Sequence, residues 1–78
     1  MDRQERLYVC DFGNNKIVVF SPQGQFLTEF GGPGREEGRF DEPWGVNVDR
    51  DGFIYVADTR NDRVQKFSPL PDQLKDER

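Results

Sequence analysis

The chain has no histidine and a single cysteine, Cys10. Without histidine, neither a Ser-His pair nor a His-ligated zinc can be assembled within it. One thiol excludes an internal disulfide and a cysteine-built metal cage. Long apolar runs are missing as well. A helix that crosses a bilayer needs about 20 predominantly apolar residues, and no stretch here approaches that. The opening segment, Met1-Asp2-Arg3-Gln4-Glu5-Arg6, is charged rather than apolar, so no signal peptide is predicted. The net charge of −4 comes from fifteen acidic and eleven basic residues that intermix, which gives no overall attraction to nucleic acid or to an anionic membrane. These absences predict no catalytic residue, no metal, no cofactor and no membrane partner. With no disulfide and no leader, they point to the cytoplasm.

What is present is a small set of aromatic and aliphatic residues in tight groups. In 78 residues a single apolar core is thin. A hydrophobic fraction of 33% beside an equal charged fraction would by itself leave disorder open. Seven Phe, two Tyr and one Trp sit in short runs with Val, Ile and Leu, separated by turn residues. That grouping is what a strand-rich fold produces.

The runs repeat. Shifted by 47 residues, Leu7 to Pro22 aligns with Ile54 to Pro69, and seven of the sixteen positions are identical. They are Tyr8/Tyr55, Val9/Val56, Asp11/Asp58, Asn14/Asn61, Phe20/Phe67, Ser21/Ser68 and Pro22/Pro69. Roughly one identity would arise by chance at ordinary residue frequencies. A period in the forties made of short strands is that of propeller blades, each a four-stranded antiparallel meander.

Strands are predicted at Leu7 to Cys10, Lys16 to Phe20, Phe26 to Phe30, Trp44 to Val48, Phe53 to Ala57 and Val64 to Phe67. The turn Asp11-Phe12-Gly13-Asn14-Asn15 is rich in residues that tolerate left-handed backbone angles. Ser21-Pro22-Gln23-Gly24 reads as a type I turn and Asp49-Arg50-Asp51-Gly52 as a hairpin turn. Asp49 and Asp51 do not make a calcium loop, since the chain re-enters a strand at once. Gly31 to Pro43 is predicted to be a polar inter-blade loop without helix or strand, and Gly31-Gly32-Pro33-Gly34, a flexible connection, lacks the lysine and following helix of a phosphate loop. Labelling blade strands a to d from the propeller axis outward, the chain reads b, c, d, a, b, c. The organisation is therefore a charged tail at 1–6, a partial blade at 7–30, an inter-blade loop at 31–43, a second partial blade at 44–69 and a polar tail at 70–78. The fold class is all-β, an incomplete β-propeller of two adjacent antiparallel blades that each lack one strand.

At this point the residues resemble a known family. Gly38-Arg39-Phe40, Pro43-Trp44-Gly45-Val46-Asn47-Val48-Asp49 and the run from Gly52 to Phe67 are similar to an NHL repeat, and Tyr8 to Phe20 resembles the second half of another. Asn47 departs from the pattern, standing where family repeats usually place a small apolar residue. The family closes a ring of about six such repeats, and about one and two-thirds are present here. The resemblance implies a protein-binding or scaffolding platform. NHL propellers occur in bacterial repeat proteins and in the tripartite-motif family, where some bind single-stranded RNA. They also resemble the lyase domain of a peptide-amidating enzyme, whose zinc-binding histidines have no counterpart in this chain.

Asp11 with Lys16 and Asp58 with Arg63 recur at one spacing across the b–c hairpins, and are predicted to brace those turns. Cys10, opposite Ala57 in the repeat, and Trp44, in strand a, are predicted to be core residues. In an antiparallel meander the b–c turns and the d–a connection emerge on one face. Five basic residues there (Lys16, Arg35, Arg39, Arg60 and Arg63) stand against seven acidic ones. Nucleic-acid binding needs a clustered positive face, so a protein partner is predicted ahead of RNA. The candidate binding residues are Phe12 and the equivalent pair Thr59 and Arg60, at turn tips where the repeats differ, with Arg35 and Arg39 in the connecting loop. Missing strands predict either a homo-oligomer or the remainder of a larger propeller as the completing partner.

Overall fold

The computed structural model describes residues 2–74. Six strands form two three-stranded antiparallel sheets. The first sheet runs β1 (Leu7–Asp11), β2 (Lys16–Phe20) and β3 (Phe26–Gly31), and the second β4 (Pro43–Val48), β5 (Ile54–Asp58) and β6 (Arg63–Phe67). The order within each sheet is sequential, the meander expected of a blade. Each b–c hairpin closes through a one-turn 3-10 helix, Phe12–Asn14 or Thr59–Asn61. The following residue, Asn15 or Asp62, takes left-handed angles with φ of 57° and 52°. Asn and Asp tolerate that region better than other side-chain-bearing residues.

Directly opposed residues of an antiparallel pair share a sheet face. In the first sheet Tyr8 opposes Val19 and Cys10 opposes Ile17, and this face turns toward the second sheet. The second sheet answers with Ile54, Val56, Val46, Val48 and Phe67. Ile17, Phe40, Ile54 and Val56 are fully buried between the sheets, with Tyr8 and Cys10 packed against them. The opposite faces are open: Leu7 and Val9 are 44% and 43% exposed on one, and Val64 is 67% exposed on the other. Cys10 lies half-buried against the core, where burial raises its thiol pKa.

Three elements differ from their sequence-based expectations. Trp44 is not a core residue but 67% exposed. The β4–β5 register shifts between Pro43, which faces Asp58, and Gly45, which faces Ala57. Trp44 is the extra residue of that bulge, so it leaves the alternation that carries Val46 and Val48 inward. Next, the inter-blade loop from Gly31 to Pro43, expected to be flexible at Gly31-Gly32-Pro33-Gly34, is hydrogen-bonded in place and acts as a plug. Its Phe40 is fully buried and meets Phe30 and Phe67 edge-on, at ring-centroid distances of 6.4 and 5.8 Å. The Phe40 N–H donates to Gly32 O and its carbonyl accepts from Gly34 N–H. Gly31 makes the fit possible: with φ of 109°, a Cβ there would come within 2.5 Å of the Phe40 ring.

Finally, residues 2–6, expected as a charged tail, form a hydrogen-bonded turn. Asp2 Oδ1 accepts from the Gln4 and Arg6 N–H groups, and Asp2 Oδ2 accepts from the Tyr8 hydroxyl at 2.7 Å and Arg6 Nε at 2.6 Å. Asp49 does the same in the second blade, accepting from Asp51 and Phe53 N–H and from the Tyr55 hydroxyl at 2.8 Å. The repeat therefore begins at Asp2-Arg3, identical to Asp49-Arg50 at the same 47-residue offset. Arg6, 5% exposed, also donates to Pro71 O, and Leu70 packs on the core. The start of the segment expected as a polar tail thus lies on the blades, while 75–78 lie outside the described residues.

Because the fully buried Phe40 joins the loop to β3 and β6 through Phe30 and Phe67, Phe40→Ala is expected to cost about 3–5 kcal/mol. Urea unfolding followed by circular dichroism would measure it. For a chain of this size the variant is expected to be largely unfolded in buffer.

Candidate functional site

The face carrying the b–c turns is organised around one carboxylate. Asp58 ends β5 and is fully buried. Its Oδ1 accepts from the Asp41 N–H at 2.7 Å, and its Oδ2 accepts from Asn61 Nδ2, Arg63 Nε and Gln65 Nε2 at 3.0, 2.9 and 3.2 Å. Burial pushes the Asp58 pKa upward, but these donors together outweigh it and hold the group below the usual carboxylate value.

The donors to Asp58 also hold the connecting loop. Arg63 Nη2 donates to the carbonyls of Glu36 and Arg39, Gln65 Nε2 to Arg39 O, and Asn61 Nδ2 to Gly34 O. Gly38 N–H returns a bond to Gln65 Oε1. The loop thus reaches its place through polar side chains of the second blade, while Phe40 anchors its underside. Among the described residues no group of three His, Cys, Asp or Glu side chains is placed to hold a metal ion.

The first hairpin is wired differently. Asp11 accepts from Asn14 at 2.9 Å, matching the Asn61 bond to Asp58. Lys16, however, pairs across the sheet with Glu29 at 3.0 Å rather than with Asp11. Two causes are visible. The lysine head is a single point charge without the guanidinium's fork, and among the described residues only Asn14 donates to the Asp11 side chain.

The sequence-derived binding residues fall into two groups. Phe12, 45% exposed at the tip of the first b–c turn, meets the Trp44 ring at 5.2 Å with an interplanar angle of 46°. The contact is set by Glu42 N–H, which donates to Asn15 Oδ1 at 2.8 Å and ties the start of β4 to the Phe12 turn. Arg60 N–H donates to Asp41 O, and its guanidinium lies 3.6 Å from Glu42 and 4.0 Å from Asp41. Thr59 is exposed beside it. Arg35 is exposed and lines a shallow concavity with Arg60, Asn61, Asp62 and Arg63. Arg39 has a structural bond, donating to Gly31 O at 2.9 Å. Sequence reasoning missed Gln65, whose repeat equivalent is Val18, and it missed Trp44 as Phe12's exposed partner. Nothing in one sequence marks a bulge, but a polar residue inside strand c was a visible signal for Gln65.

Two packed three-stranded antiparallel meanders, joined by a loop locked to a buried carboxylate, are those of two partial β-propeller blades. Residues 40–67 match the family model of the NHL repeat. The chain is 44% identical over 70 residues to NHL repeat-containing protein 2 of Gallus gallus, covering 81% of this chain and 10% of that protein. It is 46% identical over 59 residues to the E3 ubiquitin-protein ligase TRIM71 of Rattus norvegicus, covering 69% of this chain and 7% of that protein. Protein wech of Drosophila melanogaster is 48% identical over 44 residues. The chain belongs with the NHL-repeat proteins, and it spans a tenth or less of the length of these relatives.

The two equivalent aspartates give a paired prediction. Asp58→Ala is expected to destabilise by about 2–3 kcal/mol, because it strips buried donors of their acceptor. Asp11→Ala should cost less than about 1 kcal/mol, and urea denaturation would compare the two. Since the folded pKa of Asp58 lies below its unfolded value of about 3.9, its contribution is complete at neutral pH. It is lost as pH falls below about 4 and through the folded value. Stability measured from pH 7 to 3 should fall less steeply in Asp58→Ala than in the parent.

Proposed function

We propose that the chain is a non-enzymatic NHL-repeat propeller segment that serves as a protein-binding or scaffolding module through its b–c turn face. The observation that carries this reading is the exposed Phe12–Trp44 pair, next in the chain to a loop end whose Asp41 and Glu42 carboxylates face Arg60. Exposed aromatics on a rigid support are the usual anchors of protein interfaces. One feature favours single-stranded RNA instead, the concavity with Arg35, Arg60 and Arg63. Two of those guanidiniums already face carboxylates, Arg63 on Asp58 and Arg60 beside Asp41 and Glu42. Asp62 lines the same concavity, so little free positive charge is left for phosphates. A remnant of an amidating-type lyase gains no support, because the chain has no histidine.

A peptide array of varied composition, run beside pooled oligoribonucleotides across a salt series, tests the reading. Peptides should be retained, and retention should drop in Phe12→Ala while persisting in Val64→Ser on the open sheet face. Tighter retention of oligoribonucleotides with a steep salt dependence would replace it with the RNA reading.

Blade completion gives a second class of partner. Tyr55, Ala57 and Val64 on the open face of the second blade are the repeat equivalents of Tyr8, Cys10 and Ile17, which are mated inside the chain. Leu7 and Val9 are likewise the equivalents of the mated Ile54 and Val56. Further blades, from a longer propeller or from other copies, fit these faces. Light scattering on size-exclusion fractions of the chain should show association that grows with concentration. A compact monomer at all concentrations would count against it.

A further inference from the structure

We infer that the Phe12–Trp44 pair, with Asp41 and Glu42 beside it, is a receptor for arginine or lysine side chains of a peptide. The inference rests on the protein-binding reading and names the chemistry of its partner.

The two rings form one exposed platform, with Trp44 67% and Phe12 45% exposed and their centroids 5.2 Å apart. The indole face is the best aromatic surface for a cation. The charges around it have the complementary sign. Asp41 and Glu42 precede Trp44 with only Pro43 between, and Asp11 directly precedes Phe12. Glu42 is pinned to the Phe12 turn by its bond to Asn15.

The carboxylates are underused. Arg60 is the one cation paired with Asp41 and Glu42 among the described residues, and it does so at 4.0 and 3.6 Å while remaining 63% exposed. Those distances exceed hydrogen-bonding range, so the acceptor positions on both side chains stay available. Asp11 has only Asn14 as a side-chain partner among the described residues.

An incoming guanidinium or ammonium would stack on Trp44 and donate to Glu42 and Asp41. Its aliphatic stem would cover Phe12. A phosphate or an acidic peptide would meet three carboxylates against one guanidinium. That balance excludes them from this platform, though not from the neighbouring arginine-lined concavity.

Trp44 is the only tryptophan of the chain, so its emission reports on the site itself. The full chain would be titrated at low salt with a capped peptide of alternating arginine and glycine. A glutamate–glycine peptide of equal length and oligouridylate would run in parallel. A saturable change in Trp44 emission with the arginine peptide alone is expected. Weakening by at least about fivefold in the double variant Asp41→Asn, Glu42→Gln is expected too, as is weakening on raising salt to about 0.5 M. Both substitutions are at exposed side chains, and circular dichroism would verify that the fold is kept. The inference is overturned by an arginine peptide without saturable effect, by an equal response to glutamate peptide or oligouridylate, or by a double variant that binds as tightly as the parent. Array peptides retained without preference for cations would sink this inference and leave the protein-binding reading standing. An array that retains no peptide would remove both.

Discussion

Asp58 joins three pieces of chain at one buried carboxylate: the end of β5, the turn and strand that follow it, and the loop arriving from the first blade. A buried charge in this position is tolerable only if its lone pairs are filled, and here four donors fill them. The requirement runs in both directions. Arg63, Asn61 and Gln65 are oriented by Asp58, and only when oriented do they present their remaining hydrogens to the loop carbonyls. The loop in turn places Phe40 into the gap between the sheets, and sets Glu42 and Trp44 against the Phe12 turn. The exposed aromatic platform is thus a consequence, two steps removed, of one polar hub.

Much of this was legible in the amino-acid order. The 47-residue offset yielded the two blades, the meander order and the six strands to within a residue at each end, because strand alternation and turn residues are local signals. The common face of the turns followed from the meander alone. What escaped depended on tertiary fit. Phe40 looked like one aromatic in a glycine-rich stretch, and nothing local distinguishes a plug from a linker. Trp44 obeyed the alternation of its strand in sequence, but a bulge at Pro43 and Gly45 turned it out. Lys16 and Arg63 read as interchangeable in the sequence, but the loop bonds the first hairpin at Asn15 and the second at the Asp58 cluster, so only Arg63 is drawn into that cluster.

The start of the chain gives a different lesson. Asp2-Arg3 matches Asp49-Arg50, yet the intervening residues differ enough that the first turn passed for a charged tail. The role the two aspartates share is geometric: each caps a turn through two N–H groups and a tyrosine hydroxyl. Glu5 even takes the positive φ that Gly52 takes in the second blade, a conformation no composition-based reading would assign to glutamate.

The open faces carry a consequence for how such chains can meet. Leu7 and Val9 lie on one outer surface and Val64 on the other, and these surfaces are complements rather than copies. A two-fold handshake would set like against like and leave the Tyr55 surface without its natural mate. Contacts that mate the two different surfaces would instead add units in a single direction. Whether such growth closes into a ring or runs on as a filament then depends on the rotation from one blade to the next.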